Sequence, residues 1–123
     1  MRERYTVSAF FDDVAERIRA ADLVVMRAGG SSLAETAVLG RPMILVPYPY
    51  AGAHQMDNAL PYVHAGAAAL IPDEECGVER LRSEIERVVA EPERWRRMAE
   101  ASRACGRPHA AGAVVALIGE AAA

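Results

Sequence analysis

The sequence predicts an α/β domain, a parallel sheet of about four strands with flanking helices. Three observations point there. Short continuous apolar runs such as "DLVVM" (22–26) and "RPMILVPY" (41–48) have the length and branched-residue content of strands buried on both faces. The segments between them repeat their apolar residues at helical spacing. The two patterns alternate, and alternation of strand and helix implies parallel pairing through right-handed crossovers.

The elements follow in order. "RYTVSAF" (4–10) is rich in β-formers and reads as a first strand. "DDVAERIRAA" opens on acidic residues and repeats Val14, Ile18 and Ala21, an amphipathic helix. "DLVVM" is the second strand. "SLAETAVLG" is a helix with Leu33, Ala37 and Val38 as its apolar stripe and Gly40 as its stop. "RPMILVPY" is a strand bounded by prolines. A loop leads to a helix from about His54 to Gly66, with Pro61 expected to kink it or mark a boundary. "AAALIP" is a fourth strand. "VERLRSEIERVVA" carries Leu81, Ile85 and Val88 on one face. Pro92 begins a further helix, since proline suits a first turn. "AGAVVALIGEAAA" reads as a last helix, apolar nearly all round and in need of a surface to pack on.

Composition excludes several classes. The 123 residues make about one domain, and 52% hydrophobic content is enough to fold it. A net charge of −3 argues against binding nucleic acid by phosphate neutralisation. All the basic residues are arginine, which reflects coding bias more than an arginine-based function. Cys76 and Cys105 show no metal-ligand spacing and read as reduced thiols in a cytoplasmic protein, rather than as a disulfide. The first residues, "MRERYTVSAFF", lack the pattern of a signal peptide. No apolar run reaches the roughly 20 residues that span a bilayer, so membrane contact is expected to be peripheral.

Two polar constellations follow buried strands, at the sheet edge where open α/β folds bind ligands. The first is "RAGGSS". Gly29 and Gly30 permit positive φ and close approach, and Ser31 and Ser32 open a helix whose free amides attract anions. The same residues also suit an ordinary strand-to-helix turn. Glu35 is open in the same way. It completes a capping box with Ser32, or it offers a carboxylate to a sugar diol. The second constellation is "PYPYAGAHQMDNA", whose His54, Gln55, Asp57 and Asn58 are either a solvated first turn or ligand contacts. One histidine and one aspartate are too few for a metal site, and no G-x-S-x-G nucleophile elbow is present.

Taken together, "ADLVVMRAGGSSLAETAVLGRPMILVPYPYAGAHQMDNALPYVHAGAAALI" resembles the C-terminal domain of the MurG family. The shared features are A-D before an apolar run, R-[SA]-G, a small-residue turn, an acidic residue, G-x-P before an apolar V-P strand, H-Q-x-x-N-A, and a closing G-A-A. These enzymes transfer N-acetylglucosamine from UDP to a lipid-linked muramoyl-pentapeptide, making lipid II for peptidoglycan. The resemblance implies a GT-B glycosyltransferase fold, with residues 1–123 forming part of the C-terminal donor domain and the acceptor domain absent. It implies backbone contacts from Phe11 to uracil, ribose contacts from Glu35, and a diphosphate and sugar cradle from Gly29, Gly30, Ser31 and Ser32. It also implies contacts of His54, Gln55 and Asn58 with the sugar or phosphate. The catalytic base is expected in the acceptor domain, so no catalytic residue is assigned. The implied reaction is inverting and needs no metal or cofactor, and its partners are UDP-N-acetylglucosamine, the lipid-linked acceptor and an acceptor-domain partner chain. The expected location is the cytoplasmic face of the bacterial plasma membrane. A donor domain or split subunit of another UDP-sugar-dependent GT-B enzyme, acting on a glycolipid or natural product, is the alternative. The aromatic loop "PYPYAG" stands where the family often carries a more polar one.

Overall fold

The computed structural model describes residues 13–50 and 54–106. Helix α1 (Val14–Ala20) leads to strand β1 (Val24–Met26), then α2 (Gly30–Val38), β2 (Met43–Leu45), α3 (Gln55–His64) and β3 (Ala68–Leu70). A short 3-10 turn (Asp73–Glu75) precedes α4 (Val78–Val89) and α5 (Pro92–Cys105). The expected first strand, Phe11 and the expected terminal helix lie outside the described residues.

The three strands form one parallel sheet in the order β1-β2-β3. Val24 pairs with Met43 and Met43 with Ala68, so the carboxyl ends of all three strands finish at one edge. The central strand is buried at every position. Its side chains alternate between the two faces of the sheet, as strand geometry requires. Met43 and Leu45 join Leu33, Ala37 and Ala59 in one core layer. Ile44 and Val46 join Ile71 in the other, against Leu81 and Ile85 of α4.

Two helices stop at glycine for a steric reason. Gly40 and Gly66 both take positive φ, +69° and +87°, which a side chain disfavours. After Gly40, Arg41 N donates to Thr36 O, and after Gly66, Ala67 N donates to Tyr62 O, closing the freed carbonyls.

Four details differ from the sequence expectation. Val38 is 47% exposed and Thr36 is buried instead. Leu33, Thr36, Ala37 and Gly40 follow the i, i+3, i+4, i+7 face, and the Thr36 hydroxyl finds Met26 Sδ at 3.6 Å. No residue of α1 is buried, because the helix touches the described core mainly through α2. α3 runs through Pro61 as one helix. The proline forgoes a single backbone bond and lies exposed, and Ala65 N still donates to Pro61 O. Finally, α4 buries Glu84 beside Val88, with Arg80 and Arg87 each 3.5 Å from its carboxylate.

α5 packs along α2 and α4. Its end comes so close to α2 that a Cβ on Gly106 would collide with the Ala37 and Val38 backbone. Trp95 Nε1 donates to Asp22 O at 2.6 Å, fixing the start of α5 to the approach to β1.

Candidate functional site

The carboxyl edge of the sheet collects three segments: residues 27–29 after β1, 46–50 after β2 and 71–73 after β3. The first enters α2. Gly29 is its N-cap, with φ −74° and ψ 136° and no side-chain capping bond. The first bond of the helix runs from Leu33 N to Gly29 O at 3.0 Å. The amides of Gly30, Ser31 and Ser32 therefore precede any intrahelical partner and carry the positive end of the helix dipole. Ser31, Ser32 and Glu35 are all exposed.

This geometry settles two open readings of the turn. The capping box is not formed. The helix starts at Gly30, so Ser32 sits inside the first turn rather than at the N-cap, and Glu35 lies one turn beyond the box position. Nor do Gly29 and Gly30 serve positive φ, which occurs only at Gly40 and Gly66 among the described residues. Instead, a Cβ on either would meet nothing within 4 Å, so the space over the turn is open.

The second constellation sits beside the first. His54 is the N-cap position of α3, exposed, with no side-chain cap. Gln55 Oε1 accepts from Ala28 N at 3.0 Å and from Tyr48 N at 2.8 Å. Asn58 Nδ2 donates to Ala28 O at 3.1 Å. Both backbone groups of Ala28 are thus tied to α3. Gly30, Asn58, Asp57, Tyr62 and Cys105 line a cavity of about 480 Å³ next to the α2 amino terminus. Burial pushes the Tyr62 hydroxyl above its ordinary range, with Cys105 nearby adding to it. It pushes the Cys105 thiol up too. Among the described residues, no group of three or more His, Cys, Asp or Glu is placed to hold a metal ion, and Cys76 and Cys105 are free thiols.

Sequence reasoning missed Arg27, Tyr48 and Asp73. Arg27 Nη1 donates to Val46 O at 3.2 Å and to Asp73 Oδ1 at 2.5 Å. Its guanidinium carbon stands 5.7 Å from the centre of the Tyr48 ring. The available signal was position: each residue falls one to three places after a strand.

Parallel strands under flanking helices, with an open helix terminus at their carboxyl edge, make this a Rossmann-like domain of the GT-B C-terminal type. The chain belongs to the glycosyltransferase family 28 C-terminal domain family, whose pattern matches residues 1–114. It is 48% identical over 105 residues, 85% of this chain and 28% of the relative, to the UDP-N-acetylglucosamine–N-acetylmuramyl-(pentapeptide) pyrophosphoryl-undecaprenol N-acetylglucosamine transferase of Chelativorans sp. (strain BNC1). The enzyme of the same name from Agrobacterium fabrum is 45% identical over 113 residues, 91% of this chain and 30% of the relative. The crystal structure of Acinetobacter baumannii MurG superposes with a TM-score of 0.76 at 31% identity, over 90% of this chain and 32% of that one. The chain thus spans under a third of the length of the relatives it matches.

Proposed function

We propose that this chain is the donor-side part of a transferase that moves N-acetylglucosamine from UDP to an undecaprenyl-pyrophosphoryl-muramoyl-pentapeptide. The observation that carries the reading is the open amino terminus of α2. Three amides without intrahelical partners face unfilled space at the sheet edge, with exposed Glu35 on the same helix and exposed His54 across the turn. The shared naming of the curated relatives supports the substrate pair.

The chemistry follows from the parts. In the transferase the acceptor hydroxyl attacks the sugar C1, the C1–O bond to the diphosphate breaks, and configuration inverts. Negative charge then grows on the departing UDP. The amides of Gly30, Ser31 and Ser32 and the helix dipole oppose that charge without moving, so they act in the transition state more than in the ground state. This stands in for a metal at the leaving group. Glu35, exposed on α2, accepts hydrogen bonds from the ribose diol. His54, exposed at the start of α3, is the side chain assigned to the sugar or phosphate in this reading. Gln55 and Asn58 contribute mainly by placing that turn, since their polar atoms hold Ala28 and Tyr48. The base that takes the acceptor proton belongs to the acceptor domain in this reading. So does most of the contact with the inner face of the plasma membrane, and no helix among the described residues is long and apolar enough to cross a bilayer.

Calorimetric titration with UDP-N-acetylglucosamine tests the reading, with UDP-glucose and UDP-galactose alongside. Preferential binding of the N-acetylated sugar, weakened by Glu35→Gln, is the expected result. A preference for UDP-glucose or UDP-galactose would move the chain to another glycosyltransferase activity.

A further inference from the structure

An arginine beside a diphosphate cradle is ordinarily read as a counter-charge for the ligand. The contacts of Arg27 say otherwise. It begins at the carboxyl end of β1 and reaches the carbonyl of Val46 beyond β2 and the carboxylate of Asp73 beyond β3. On the way its guanidinium comes within cation–π distance of Tyr48. Tyr48 is in turn 5.0 Å from Tyr50, edge to face, and its amide is held by Gln55, which also holds Ala28 at the entry to α2.

We infer that Arg27 is a positioning residue, a strap across the carboxyl ends of all three strands that fixes the Tyr48 segment against the amino terminus of α2. The inference rests on the donor-site reading for what the strap positions. Its charge is matched by Asp73, whose side chain is 26% exposed, although the Arg27 side chain itself is half exposed. One nitrogen, Nη1, serves both the carbonyl and the carboxylate while the guanidinium stands against the Tyr48 ring, a spread of contacts that a compact lysine ammonium matches only in part. Tyr48 is 44% exposed and Tyr50 is 63% exposed. Neither is fixed by burial, so the strap and the Gln55 bond set their place.

The sign of one substitution separates the strap from a direct phosphate ligand. Removing the Asp73 charge by Asp73→Asn slackens a strap and weakens UDP-N-acetylglucosamine binding. If Arg27 were a phosphate ligand held back by Asp73, the same change would release it and tighten binding. The experiment combines calorimetry with hydrogen exchange at the Tyr48 amide in the free chain, for Arg27→Gln, Arg27→Lys and Asp73→Asn. Arg27→Gln is expected to speed Tyr48 exchange by about tenfold while the β2 amides stay protected. It is expected to weaken the donor by about fivefold through lost preorganisation, and Arg27→Lys to restore part of both. Unchanged Tyr48 exchange in Arg27→Gln, or tighter donor binding in Asp73→Asn, overturns the proposal. Faster exchange with unchanged affinity also overturns it, by reducing Arg27 to a structural contact. If the parent chain binds neither UDP nor its sugar, the donor reading fails, while a Tyr48 response to Arg27→Gln still supports the strap.

Discussion

The amino termini of α2 and α3 look alike in sequence and differ in what they have left to offer. Each follows a buried strand, each opens with polar residues, and neither N-cap residue makes a side-chain capping bond. At α3 two of the four polar side chains turn back into the protein, while His54 and Asp57 stay exposed. Gln55 and Asn58 hold Ala28 from both sides, and Gln55 holds Tyr48 as well. At α2 the serines and Glu35 stay exposed, and nothing meets a Cβ placed on Gly29 or Gly30. One helix end clamps its neighbours, and the other keeps its first amides without intrahelical partners at the same edge. Polar residues at a strand-to-helix turn therefore do not announce a ligand contact; what matters is whether the fold has already consumed their hydrogen bonds.

The largest effect that would break this contrast is expected at Gln55. Gln55→Leu strands the amide of buried Ala28, at a cost of about 1–3 kcal/mol for a buried unsatisfied group, and leaves the exposed Tyr48 amide to water; urea unfolding reads it. Gln55→Glu keeps an acceptor and should recover most of the loss. A Gln55→Leu protein as stable as the parent would remove the clamp. Glu35→Gln should do the opposite: stability within about 0.5 kcal/mol of the parent, as for an exposed residue, and donor affinity about tenfold weaker, or roughly 1.4 kcal/mol. Ser32→Ala sharpens the same point, because a true N-cap serine would cost about 1 kcal/mol on removal, and here the melting temperature should hardly move.

The smallest effect concerns pH. The Cys105 thiol and Tyr62 hydroxyl are both pushed above their ordinary values of 9.0 and 10.0, chiefly by burial. The folded chain then holds these protons longer than the unfolded one. Their contribution is complete below about pH 9 and is lost as pH rises through the folded values. Chemical unfolding measured from pH 8 to 11 should show that decline, and Cys105→Ser should flatten its first part. A decline unaltered in Cys105→Ser would place its origin elsewhere.

Much of the fold was legible because its signals are local. Val24–Met26, Met43–Leu45 and Ala68–Leu70 are continuous apolar runs, and α5 begins at Pro92 as the proline suggested. Gly40 and Gly66 mark stops that only backbone sterics require. The misplaced details are those that neighbours decide. Val38 yields its buried place to Thr36 because Met26 offers the hydroxyl a partner, and Glu84 is buried because two arginines on its own helix reach it. In the site, adjacency of the two constellations was legible from strand order, whereas the start of α2 at Gly30, which undid the capping box, was not.

By itself, then, the sequence determined the alternation of elements, the parallel sheet and the edge at which the polar residues gather, because periodicity and turn chemistry act over a few neighbours along the chain. The tertiary structure alone decided which of those residues are spoken for. Ala28 and Gln55 are 27 positions apart and Arg27 and Asp73 are 46. Hydrogen bonds between such residues exist only once the three strands lie in register and bring their ends within reach.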